Sequence, residues 1–177
     1  MKAIVALAAI LAAFGGSGFA AETTHVTPTT AAVGPQSTLT LSLDGEGWLL
    51  DTDPKNVGRT EQWFNAPTKE AKPTRVPWII QEAFPAYHGV VWYWHDFDAP
   101  TNPHPDGRDL LRFWQVDYMA EVWLNGVNVG GHEGGEGVFV LDVTDAIVPG
   151  RNRMAVRVLN PTNEPIEGIK LAEVPRR

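Results

Sequence analysis

Val116 to Gly137 reads VDYMAEVWLNGVNVGGHEGGEG. Two apolar-rich runs meet there at Asn125-Gly126, the strongest short-range signal for a two-residue hairpin turn, because both central residues must take positive φ. A glycine-rich stretch follows, Gly130 to Gly137, which reads as a loop carrying His132, Glu133 and Glu136. Val138 to Thr144 is a second short apolar run, and Pro149-Gly150 marks a turn before Met154 to Leu159. The first expectation is an antiparallel hairpin within a series of short strands.

The flanking sequence agrees. Val90 to Phe97 is β-branched and aromatic throughout, which favours a strand. Alternation puts Trp92 and Trp94 on one face and Tyr93 on the other, so at least one face belongs to a core. Thr38 to Leu43 alternates at period two, as a half-buried strand does. Leu110 to Val116, Ala120 to Leu124, Val127 to Val129 and Ile169 to Val174 are further candidates. No segment sustains apolar residues at helical spacing. Asp53 to Pro77, punctuated by Pro54, Gly58, Pro67 and Pro73, reads as a long loop anchored by Trp63 and Phe64. Loops of that length in a compact domain usually cover something. Short strands with Gly/Pro turns predict an all-β antiparallel sandwich or barrel.

With 177 residues, the chain suffices for one ordinary domain. It is 44% hydrophobic with seven Trp and seven Phe, enough for a core and too much for a disordered chain. Lys2, the apolar run Ala3 to Phe14 and the small-x-small pattern Gly18-Phe19-Ala20 read as an export signal over residues 1–20, ending near Ala20. Residues 21–37, rich in Thr, Pro and Ala, read as a flexible linker, and 38–177 as the domain. A periplasmic or extracellular destination follows. Cysteine is absent, which excludes thiolate metal sites and cysteine nucleophiles and leaves stability to the core. A net charge of −7 with no Lys/Arg cluster argues against nucleic acid and anionic membranes as partners.

Independent catalysis finds little support in the residues. Beyond the signal only Ser37 and Ser42 remain, and neither sits in a nucleophile elbow. Asp117, Glu121, Glu133 and Glu136 are the available carboxylates, without the spacing of a positioned acid/base pair. His132-Glu133-Gly134-Gly135-Glu136 is not H-E-x-x-H, and its glycines allow positive φ rather than aligning ligands on a helix, so no metal and no cofactor is expected. Trp and Tyr rings suit the apolar C–H faces of sugars. Most of the aromatics read as packing, and the loop residues Trp63 and Trp78 are the better candidates for contact outside the sandwich.

Several pieces, taken together, resemble the N-terminal sugar-binding domain of family 2 glycoside hydrolases, the family of β-galactosidases and β-glucuronidases. They are Leu43-x4-Trp48, Val76-Pro77-Trp78, Tyr87-His88-Gly89-x2-Trp92-Tyr93, Leu111-Arg112-Phe113 and Val116-Asp117-Tyr118-x-Ala120-x-Val122-Trp123-x-Asn125-Gly126. Val129-Gly130-x-His132-Glu133-Gly134-Gly135, Phe139-x2-Asp142-Val143-Thr144 and Pro149-Gly150-x-Asn152-x3-Val156-x-Val158 continue the pattern in order. The resemblance implies a jelly-roll β-sandwich of the galactose-binding-like type and a carbohydrate ligand. It also implies that the Gly130–Gly137 loop lies towards a substrate pocket, making His132, Glu133 and Glu136, with Trp63 and Trp78, the candidate sugar-contact residues. In the resembled enzymes an immunoglobulin-like domain and a (β/α)8 barrel follow, and the barrel holds both catalytic carboxylates. The expectation is thus a non-catalytic module of a glycosidase in carbohydrate degradation, an N-terminal piece without those partner domains. A free-standing glycan-binding or structural interaction module is the alternative.

Overall fold

The computed structural model describes residues 38–104 and 106–171 in full, and residues 4–13 as backbone. The chain forms the expected all-β antiparallel jelly-roll sandwich. One sheet runs in the order β4 (Lys72–Val76), β3 (Gly45–Asp53), β6 (Gly89–Ala99), β11 (Gly150–Asn160), β8 (Met119–Leu124) and β9 (Val127–Glu133). The other has β10 (Phe139–Asp142), β7 (Arg108–Val116), β1 (Ile4–Ala13) and β2 (Thr40–Leu41), with β5 (Trp78–Ile79) also on β1. A single turn of 3₁₀ helix, Ile80–Glu82, precedes β6.

The Asn125-Gly126 turn connects β8 and β9 as read, with φ of 52° and 81°. Its position is fixed by side chains as well as by backbone preference. Asn125 Nδ2 donates to the Ala146 carbonyl at 2.9 Å and to Asn152 Oδ1 at 2.8 Å, while Asn125 Oδ1 accepts from Arg153 N. Asn152 is itself buried and bonds both Val148 and Gly150. The hairpin tip is thereby tied to the turn that begins β11.

The six-stranded sheet is buried on both faces. Trp48, Leu50, Val91, Tyr93, Val122, Met154, Val156 and Val158 point inward, against Leu111, Phe113, Val116 and Phe139 of the opposite sheet. Val90, Trp92, Trp94, Trp123, Ala155 and Leu159 point outward, yet all are buried. Trp63 and Phe64 from the Asp53–Pro77 segment, with Ile166 and Ile169 from the chain after β11, form the cover. This explains both the length of that loop and the apolar character of both faces of Val90 to Phe97. The indole N–H groups of Trp48, Trp92 and Trp94 find acceptors in the Leu43 carbonyl, the Asp53 carboxylate and the Trp63 carbonyl.

Other sequence readings are revised. Lys72–Val76 is a strand inside the expected loop, at the sheet edge where Pro73 costs no ladder bond. The alternating run Thr38 to Leu43 contributes only the two-residue β2. Ile169 joins an isolated bridge to Ile166 rather than a strand, and residues 172–174 of that expected strand lie outside the described residues. The linker read over 21–37 lies outside them too. Ile4–Ala13 belongs to the run that reads as an export signal, so the sequence expects the sheet to form without it. Its backbone here pairs antiparallel with β7, from Val5 opposite Val116 to Ala13 opposite Arg108. β2 and β5, among the described residues, pair only with β1.

Candidate functional site

Strand register gathers the polar loops at one end of the sandwich. Glu133 stands opposite Met119, Met119 opposite Leu159, Leu159 opposite Val90, and Val90 opposite Asp53. Across this row five strands of one sheet begin or end together. The rim above it is built from the segments after Asp53, before Gly89, before Met119, after Glu133 and after Asn160. Trp78 is brought to the same end through the other sheet, where Val5 pairs both Trp78 and Val116.

The stretch read as a loop carrying His132, Glu133 and Glu136 is half strand. β9 runs to Glu133, with a register shift beside Val122 and Trp123 and φ of 122° at Gly130. Gly131 makes this possible: a Cβ there would stand 2.3 Å from the Ala120 carbonyl oxygen. These glycines let β9 approach β8 closely, and sequence alone shows only their loop propensity. His132 is half-buried and its ring stacks on Phe139 at 4.6 Å. Glu133 is exposed and accepts from the Tyr118 hydroxyl at 3.1 Å. Glu136 lies in the loop proper. Gly134 N donates to the Tyr118 carbonyl and Gln115 to the Gly135 carbonyl, folding the loop over Asp117. Burial, with the nearby charge of Glu136, raises the Asp117 carboxyl above its ordinary range.

Trp78 is 37% exposed and carries the Arg75 guanidinium 3.4 Å from its ring centroid. Trp63 is half-buried over Trp92 and away from the rim, with its N–H donated to Glu61. The structure therefore brings Glu133, Glu136 and Trp78 to one end, sets His132 between the sheets, and places Trp63 in the outer core. Among the described residues no three His, Asp or Glu side chains converge as metal ligands.

Sequence reading passed over the neighbouring part of the rim, where a cleft of about 470 Å³ opens between residues 53–56, 87–90 and 162–167. Its walls are held by committed groups. Asp53 accepts from Val57 N and Gly58 N at 2.8 Å each. Arg157, fully buried on β11, donates to Glu121, Asn56 and Glu167, and Arg59 bridges Glu121 and Glu167 from the other side. Burial, reinforced by the charge of Arg59, lowers the Arg157 pKa from the usual guanidinium value. Burial pushes Glu167 up, but hydrogen bonds from Asn56 and Arg59 and the charge of Arg157 outweigh it and hold the carboxyl below its ordinary range. Tyr87 lies over Gly89, donates to the Val90 carbonyl, and is pushed up to about 12 by burial and by Asp53 and Asp51. The signals present in the sequence were an arginine inside the apolar strand Met154 to Leu159 and the polar run Pro161 to Glu164 directly after it.

The profile described as glycosyl hydrolases family 2, sugar binding domain, matches residues 40–167. A β-glucuronidase of Paenibacillus borealis is 39% identical over 137 residues, covering 73% of this chain and 23% of that protein. The Rattus norvegicus β-glucuronidase is 36% identical over 121 residues, covering 61% of this chain and 18% of that protein. Among solved structures, the Ruminococcus gnavus β-glucuronidase superposes with a TM-score of 0.64 at 28% identity, covering 70% of this chain and 22% of that one. The chain thus spans about a fifth of the length of the relatives it matches. The chain belongs to glycoside hydrolase family 2, through that family's sugar-binding domain.

Proposed function

We propose that this chain is an exported sugar-binding domain of a β-glucuronidase-like enzyme, which holds carbohydrate for a catalytic unit and cleaves nothing by itself. The observation that carries this reading is the family match over residues 40–167, together with the β-glucuronidase identity of the relatives cited above. Export rests on the Lys2 to Ala20 pattern.

Glycoside hydrolysis needs two carboxyl groups set on either side of the scissile bond. Bond cleavage on this reading belongs to a barrel domain, with an immunoglobulin-like domain between, as in the resembled enzymes. Glu133, Glu136 and Trp78 contribute sugar contacts from the rim. His132 and Trp63 act by packing, the one against Phe139 and the other against Trp92. Assay of the 177-residue chain on aryl β-glucuronides and β-galactosides tests the division of labour. We expect no turnover above background. Turnover that disappears in Glu133→Gln would overturn it.

A further inference from the structure

Resting on the reading that this domain holds sugar, we infer that the cleft between residues 53–56, 87–90 and 162–167 is a binding subsite for an uncharged pyranose, and that it disfavours a uronate. Its volume of about 470 Å³ falls within the range of small-molecule sites. Apolar surface comes from Tyr87 and Ile166, the kind of wall on which the C–H face of a sugar packs.

The polar groups around the cleft fall into two sets. Asp53, Asn56 and Glu167 are saturated by partners within the protein and hold the walls in place. Lys55, His88 and Glu164 also line it, and their side chains make no hydrogen bond, ion pair or ring contact among the described residues. An ammonium, an imidazole and a carboxylate left uncommitted around prefixed walls offer donors and acceptors together, which suits hydroxyl groups that both donate and accept. Walls already rigid spare the ordering cost of binding.

Charge sets the preference. Glu167 is balanced by Arg157 and Arg59, which also hold Glu121, and among the described lining residues this leaves Asp53 and Glu164 against Lys55. A ligand carboxylate entering here meets like charge. A neutral sugar pays no such penalty.

The test is amide-shift mapping by ¹⁵N–¹H NMR on the full 177-residue chain, titrated in parallel with methyl β-glucoside and with glucuronate. We expect saturable shifts that include amides near 54–56, 87–90 and 162–167, with glucuronate at least three-fold weaker. His88→Ala and Glu164→Gln should each weaken methyl β-glucoside at least three-fold while leaving the unliganded spectra dispersed, since neither side chain has a structural partner among the described residues. Glucuronate binding as tightly as the neutral sugar overturns the stated class. Saturable shifts at 132–137 with none at the cleft amides overturn the subsite while leaving the sugar-binding reading standing. No shift with either sugar overturns both.

Discussion

Arg157 Nη2 donates to Glu167 Oε1 at 2.9 Å, and the arginine side chain of this pair is fully buried while the glutamate is 25% exposed. Ten residues apart, they pin the turn after β11 onto the outer face of the six-stranded sheet. Removing one member of a buried ionic cluster leaves the others uncompensated, at a cost of about 3 kcal/mol or more. Arg157→Ala strands Glu121 and Glu167 beside Arg59 alone and is expected to lose about that much. Glu167→Ala leaves Arg157 with Glu121 and Asn56 and should cost less, about 1–2 kcal/mol. Urea unfolding of the two variants measures the order. Equal or reversed losses would contradict the role assigned to Arg157.

The same cluster sets an acid response. Because the folded-state pKa of Glu167 lies below its ordinary value, its contribution is present above the usual carboxylate range and lost as pH falls through the depressed value. Asp96, held low first by Arg153, adds in the same sense. Asp117 is raised, so its ionisation costs stability as pH rises through the ordinary carboxylate range, and that cost is absent in acid. Stability measured from pH 7 down to pH 3 should fall less steeply in Glu167→Gln than in the parent. Asp117→Asn should gain relative to the parent at pH 7 and not at pH 3. Parallel curves for all three proteins would refute these assignments.

At Gly131 the β9 backbone leaves no room for a side chain against β8. Its Cβ would meet a backbone carbonyl oxygen, which cannot rotate aside as a side chain can. Gly131→Ala should therefore destabilise by about 2 kcal/mol, within the usual cost of overpacking. Gly137→Ala meets nothing within 4 Å, though its φ of 119° makes it a strain control rather than a neutral one. Thermal melts compare them, and a Gly131→Ala protein as stable as the parent would remove the close-approach argument.

Much of the sandwich was legible because its signals are local. Asn125-Gly126 demands positive φ, and Val90 to Phe97 is too apolar on both faces to be anything but a buried strand. Lys72–Val76 escaped because Pro73 reads as a breaker unless the strand is known to be at an edge. His132 and Glu133 were assigned to a loop because glycines that allow strands to approach look, in sequence, like glycines that allow a turn. The cleft was not legible, since its three walls are separated by tens of residues and meet only through the pairing of β3, β6 and β11.

Residues 4–13 carry two readings, an export signal and a strand on β7. Their removal would leave the β7 edge bare and take away the pairing partner of β2 and β5, and unpaired edges recruit other strands. A chain beginning at Ala21 should therefore self-associate with rising concentration, whereas the chain from Met1 should do so less. Sedimentation velocity over a hundred-fold concentration range gives the answer. A clean monomer from Ala21 onward would show that β7 needs no partner at that edge.

On the function proposed above, this family 2 domain holds sugar through the loop end of its sandwich. Isothermal titration of the 177-residue chain with a panel of methyl glycosides at millimolar concentration tests it most directly. Saturable heat is expected with at least one neutral glycoside, reduced by His88→Ala. Flat titrations across the whole panel would contradict it.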